Sequence, residues 1–597
     1  MENVSTTPDV GVKGVNWDLS DLYKGIDDPA IERDLADADA RADQLVEQYR
    51  GKIAGLDAAG LFQMIQAYEA IIETSQRVGS FAFLLWSTRT EDQTAGALLQ
   101  RSTERSSRLG QKLVFVELEW ANVEDKQAQA LISDPKLEHY RHWLQVARQY
   151  RPHLLSEPEE KILAEKSVTG REAWSRFFDE TLAAARFDFD GQQYPEQVVL
   201  SKLYDADRSV RQRAAASMTA GLKSMLRTTT YVFNTVLADK SSDDTLRRYE
   251  SWISSRNLGN EVDDGTVQAL VDAVTSRYGI VARYYRLKRR LLGLDELFDY
   301  DRYAPLPAAE RLYQWSEAKE IVLSAYAAFH PHMAEIAQMF FDKRWIDAEI
   351  KPGKRGGAYS HSAIPSVHPY VFMNYEGTPR EIMTLAHELG HGVHQWLSRE
   401  QGLLQANTPL TTAETASVFG EMVVFQELLR RESNPEFQLA LLTSKIEDTF
   451  ATVFRQIAMN RFEDAIHNGR REEGELSTDR LSEMWLTTQR AMFEDSVTIT
   501  DDYAVWWSYI PHFIHTPGYV YAYSFGNLLV LALYARYQQM GGEFPELYLS
   551  MLSSGSSDWP NELVKPLGVD LTDPDFWTHG LSLLEEMVRQ AEELAQK

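Results

Sequence analysis

The chain has 597 residues, no cysteine, and 61 basic against 88 acidic residues, a net charge of −27. Hydrophobic residues at 44% and charged residues at 25% describe a globular chain able to bury a large core. The missing thiols exclude a disulfide scaffold, thiolate metal sites, iron–sulfur clusters and a cysteine nucleophile, and the acidic balance argues against nucleic acid or an anionic membrane as partner.

The first fourteen or so residues are polar and punctuated by Gly and Pro, and are expected to form a loose tail. They lack the basic and apolar regions of a secretory signal. No apolar run approaches the roughly 18–20 residues of a membrane span. The expectation is a cytoplasmic protein with no membrane partner.

Apolar residues recur at three- and four-residue spacing over 31–49, 58–77, 92–120 and 159–167, and again over 209–239 and 263–291, which predicts amphipathic helices. Strand signals are few. Residues 186–194 alternate around Asp190-Gly191, a hairpin dipeptide. A second strand-like zone spans 356–375, with an extended segment fit to pair with a peptide backbone. His361 and His368 in this zone read as loop histidines. Beyond residue 378 the pattern is mostly helical. The predicted fold is mainly α with a small β-sheet near the active site. A border near residue 200 separates an N-terminal helical domain, 1–200, from a catalytic domain, 201–597.

The segment TPREIMTLAHELGH, residues 378–391, carries the chemistry. Thr378, Pro379 and Glu381 form a capping box with Pro at the first helical position, so a helix starts here. His387 and His391 then project from one face, one turn apart, and can hold one zinc ion, while Glu388 reaches a metal-bound water as general base. With 14 histidines and 88 acidic residues, chance supplies only about 0.05 such motifs per chain. The bland reading is two surface histidines beside an unrelated glutamate. His394 does not extend the motif, because Gly does not stand there.

A catalytic zinc takes a third protein ligand, here a carboxylate or histidine. Thr411 or Thr412 is expected to cap a second helix, with Glu414 in its first turn as that ligand and Glu421 two turns on as partner to a ligand histidine. The bland reading of Glu414 is a helix-terminal charge. A last helical run, 519–537, follows Pro517-Gly518. Tyr519 and Tyr523 share a face there, as oxyanion donors or as core aromatics.

Together these segments resemble the oligoendopeptidase F family, among the thimet-oligopeptidase-like zinc metallopeptidases. The resemblance spans nearly the whole chain. It rests on WDLSDL (17–22), YDRYAPL (300–306), KRGGAYS (354–360), NYEG (374–377), TLAHELGH (384–391), AETAS (413–417), IPHF (510–513) and YVYAY (519–523). It implies a large helical zincin-like fold enclosing a substrate channel, one Zn²⁺ per chain on His387, His391 and Glu414, and Glu388 as base. It implies cleavage of internal bonds in short peptide substrates. It also assigns His512 to the substrate and transition state, with His515 as its competitor and with Tyr519 and Tyr523 beside it. The rival readings are a zinc exopeptidase of similar build and a non-catalytic helical peptide-binding module.

Overall fold

Capping chemistry sets most of the helix starts in the computed structural model, which describes residues 9–306 and 311–596. Asp28, Asp57, Asp92, Asp207 and Asp263 each accept a backbone N–H from the first turn of the helix that follows. The predicted helices appear as Pro29–Tyr49, Ala58–Ser87, Gln93–Leu113, Glu157–Ser167 and the forty-residue Arg208–Arg247. Two expected helices are each split. The second of them breaks into Asp264–Thr275 and Tyr278–Leu291, where the Ser276 hydroxyl bonds back to the Ala273 carbonyl.

Two compact units emerge, each assembled from three chain segments. Unit 1 comprises residues 1–151, 310–431 and 536–569; unit 2 comprises 152–309, 432–535 and 570–597. Residue 200 therefore lies inside unit 2. Residues 1–8 of the expected tail lie outside the described residues. Its remainder is not loose: Val10 is buried, and its carbonyl accepts the Trp315 N–H at 2.8 Å.

In unit 1 the first three helices share a core of Ala42, Leu45, Leu61, Met64, Ile65 and Leu109. A three-stranded sheet follows in the order β3–β5–β4, where β3 is Ile346–Asp347, β4 is Tyr359–His361 and β5 is Tyr370–Phe372. β5 is fully buried and central, parallel to β3 and antiparallel to β4, with Ser360 opposite Val371. β4 is thus an edge strand. His361 belongs to it rather than to a loop, and burial pushes its imidazole down to about 4. His368 is buried, stacked on Trp345 and hydrogen-bonded through Nε2 to Asp21.

In unit 2 the Arg208–Arg247 helix packs on a core of Phe233, Phe462, Trp485, Trp507 and Phe513. The predicted hairpin is present as β1, Phe187–Phe189, and β2, Gln192–Tyr194, with Asp190 and Gly191 both at positive φ. Asp301, fully buried, is held by Arg211 at 2.9 Å and Arg208 at 2.7 Å, which ties the YDRYAPL segment to the long helix. No helix among the described residues is long and apolar enough to cross a membrane.

Candidate metal centre and active site

The Pro379–Ser398 helix begins as the sequence predicts. Thr378 and Glu381 form the capping box, and the Glu381 carboxylate accepts the Thr378 N–H at 3.0 Å. His387 and His391 therefore share a face, their rings 4.9 Å apart.

Glu414 arrives differently from the expectation. Pro409, not a threonine, caps a single turn, Leu410–Ala413, because its carbonyl takes the N–H groups of Thr412 and Ala413. Glu414 sits at the joint between that turn and the Thr415–Arg431 helix. Its Oε2 lies 3.3 Å from His387 Nε2 and 3.5 Å from His391 Nε2. One donor atom from each of the three residues falls within 4.8 Å of the others. Ser417, one turn on, donates its hydroxyl to the same carboxylate oxygen at 2.7 Å and fixes its rotamer. Sequence reasoning missed Ser417; its i+3 spacing from Glu414 was the available signal.

Behind the donors stands Glu421, whose carboxylate lies 3.3 Å from His387 Nδ1. Burial alone lowers an imidazole pKa, yet the bonds and charges of Glu414 and Glu421 override it and raise His387 to about 10. Burial would likewise raise Glu414, and the two histidines instead hold it far below the carboxylate range. The cluster is thus built to hold positive charge. Two imidazole nitrogens and a carboxylate oxygen are the donor set of a catalytic divalent-metal site, so the residues present fit a zinc ion.

Glu388 is 6% exposed. Burial raises its carboxyl above the usual range, against the pull of His387, His391 and the Ser360 backbone. His387, Glu388, His391 and Glu414 line a cavity of about 410 Å³, whose wall includes Ala358 and, on β4, Tyr359 and Ser360. His394 also lines it; it is buried, and its imidazole is pushed down to about 3 by that burial and by His391.

Close helix packing brings Glu414 to the histidines. A Cβ on Gly390 would stand 2.4 Å from the Ala416 carbonyl oxygen, and one on Gly420 2.4 Å from the Tyr326 hydroxyl. That hydroxyl in turn donates to the Ala386 carbonyl at 2.6 Å.

The remaining predicted residues form a second cluster, in unit 2. His512 Nε2 lies 3.4 Å from the Tyr523 hydroxyl, and the Tyr519 ring is 6.2 Å from His512 and 5.1 Å from Tyr523. Tyr519 is not helical, contrary to the expected 519–537 run. The helix is Tyr521–Met540, because Gly518 at φ +74° turns the chain and the Tyr519 N–H bonds to the Thr516 carbonyl. Burial, then the charge of Arg455, lowers the His512 imidazole. His515 instead pairs with Asp179 at 2.8 Å.

A helix-borne histidine pair completed by a carboxylate, with a buried acid beside it in a cavity, defines a metallopeptidase. Sequence comparison agrees. Residues 201–583 match Peptidase family M3, and residues 119–187 match the Oligopeptidase F domain. Among curated proteins, Oligopeptidase PepF of Bacillus subtilis is 28% identical over 97% of this chain and 87% of its own. Group B oligopeptidase PepB of Streptococcus agalactiae is 26% identical over 89% and 90%. The fold of the oligoendopeptidase-F from Enterococcus faecium superposes with a TM-score of 0.71 at 24% identity, covering 95% of this chain and 98% of that one. A protein from Chlamydophila abortus reaches 0.86 at 23%, covering 97% and 98%. The chain belongs to Peptidase family M3 and is a metalloendopeptidase.

Proposed function

We propose that the chain is a zinc-dependent oligoendopeptidase of the cytoplasm, cutting internal bonds of short peptides with His387, His391 and Glu414 as ligands and Glu388 as general base. The observation that carries this reading is the three-donor cluster with buried Glu388 beside it, in a cavity walled by the edge strand β4.

When bound, zinc supplies a lowered water pKa and polarisation of the scissile carbonyl. Glu388 takes the proton of the attacking water and returns it to the leaving amine; its raised pKa suits both transfers. The edge of β4 offers backbone groups to an extended peptide, which orients the bond to be cut without reading its side chains. Glu421 and Ser417 hold His387 and Glu414 in their ligating rotamers. His512, Tyr519 and Tyr523 are the donors to the oxyanion that develops on the carbonyl, supported by the grouping of one imidazole and two phenols within hydrogen-bond and ring contact.

Glu388→Gln tests the scheme. The variant keeps its metal content and loses about 10²- to 10⁴-fold in turnover; a zinc-loaded variant with full activity overturns the assignment. A peptide blocked at both ends separates the exopeptidase reading, since only an endopeptidase cleaves it.

A further inference from the structure

Between His512 and Tyr519 the chain makes a turn, and one peptide group of that turn is gripped at both ends. Glu463 lies on the Phe454–Glu473 helix and is fully buried. It accepts the Gly518 N–H at 2.8 Å. Arg256 donates from Nε to the Pro517 carbonyl at 3.4 Å. That carbonyl and that N–H belong to the same Pro517–Gly518 peptide and point to opposite sides of the chain. Bonding both fixes the rotation of the peptide plane, which neither bond does alone. Arg256 also reaches over the Tyr519 ring, its guanidinium carbon 5.9 Å from the centroid.

The turn admits little else. Gly518 sits at φ +74°, and a Cβ there would touch Arg256 and Trp252 at 3.4 Å. One turn beyond Arg256, at the end of the same Ser254–Gly259 helix, Asn260 donates to the Tyr521 hydroxyl at 2.8 Å, so one helix holds the chain on both sides of Tyr519. Among the described residues the second oxygen of Glu463 has no hydrogen-bond partner. A buried carboxyl with a single such contact is costly to keep, and its one contact is to this turn.

We propose that Glu463 and Arg256 are positioning residues for the peptidase reaction: they grip the Pro517–Gly518 peptide and hold the Tyr519 phenol in register with His512 and Tyr523. The proposal rests on the role given above to His512 and Tyr519.

The test measures kcat, KM and metal content for Arg256→Met, Glu463→Ala and Glu463→Gln, each alone and combined with Tyr519→Phe. Arg256→Met and Glu463→Ala are expected to lower kcat by about 10- to 100-fold, with KM and metal content little changed. Glu463→Gln keeps an acceptor for Gly518 and restores most of the loss. In the Tyr519→Phe background the same substitutions cost less than about threefold, because they act through the missing hydroxyl. Losses that repeat in full in that background show a merely structural role and overturn the proposal. So does normal kcat in both Arg256→Met and Glu463→Ala. Arg256 is only half-buried, so Arg256→Met carries the test if Glu463→Ala fails to fold. Full activity of Tyr519→Phe and His512→Gln is a separate result, which places the fault in the underlying reading and fells the grip with it.

Discussion

Gly390 and Ala416 meet backbone to backbone: a Cβ on Gly390 would lie 2.4 Å from the Ala416 carbonyl oxygen and 2.7 Å from the Ser417 Cα. The glycine one residue before His391 therefore sets the spacing of the two helices that carry the metal donors. Backbone cannot swing aside as a side chain can, so a methyl at residue 390 must push the helices apart. Gly390→Ala is expected to cost about 1–3 kcal/mol in stability. It also weakens metal retention, because Glu414 moves away from His387 and His391 together. Thermal unfolding at saturating zinc, with zinc titration against a competing chelator, checks both effects.

His387 faces a carboxylate on each ring nitrogen, Glu414 at 3.3 Å from Nε2 and Glu421 at 3.3 Å from Nδ1. The outer carboxylate holds the ring orientation and makes the inner nitrogen a better donor. Glu421→Ala is expected to lower zinc affinity by about 10- to 100-fold. At excess zinc much of the activity returns, since neither the ligands nor Glu388 is altered. Glu414→Ala removes a ligand, and its activity is not recovered by zinc. The pair of titrations distinguishes an orienting carboxylate from a ligating one.

Local chemistry was legible in the sequence. Thr378, Pro379 and Glu381 announced a helix start, and the Asp190-Gly191 dipeptide announced a hairpin; both depend on residues a few positions apart. The metal donors on one helix were legible for the same reason. Tertiary proximity was not. Ser417 and Gly390 act on Glu414 and its helix through packing that no periodicity encodes. The spacing of Tyr519 from Tyr523 suits a helix, whereas Gly518 and the Thr516 carbonyl decide otherwise. The two units each draw on three separated segments, so a border sought along the chain has no local mark to find. The YDRYAPL segment is a further case. It carries the family resemblance, and its Asp301 is engaged in a buried ion pair with Arg208 and Arg211.

The competing histidines of the 512–515 turn have different partners. His512 reaches the Tyr523 hydroxyl and stacks by Tyr519, while His515 is exposed and spends its Nε2 on Asp179. His512→Gln is expected to lower kcat by about 10²-fold or more, the scale for removing one oxyanion donor. His515→Gln breaks a surface contact with Asp179 worth about 0–1 kcal/mol and leaves kcat within about twofold. Steady-state kinetics on an internally quenched peptide compares the two directly, and a larger loss in His515→Gln would exchange their roles.

Glu463 makes a prediction about stability that is independent of turnover. Burial pushes its carboxyl up to about 8, against the Gly518 N–H and the charge of Arg256, which pull it down. In the unfolded chain it returns to the ordinary value near 4.5. Between those two values the folded protein keeps a proton that the unfolded chain has released. Stability from this group is therefore complete below about pH 4.5 and is lost as pH rises through about 8, at up to ~1.4 kcal/mol per pH unit. Gln cannot titrate, so Glu463→Gln removes this slope while keeping an acceptor for Gly518. Unfolding free energies of the two proteins, measured in urea at about pH 5.5 and pH 8, should diverge in favour of Glu463→Gln by on the order of 3 kcal/mol at the higher pH. A difference that does not change with pH would mean that Glu463 is already ionised in the fold.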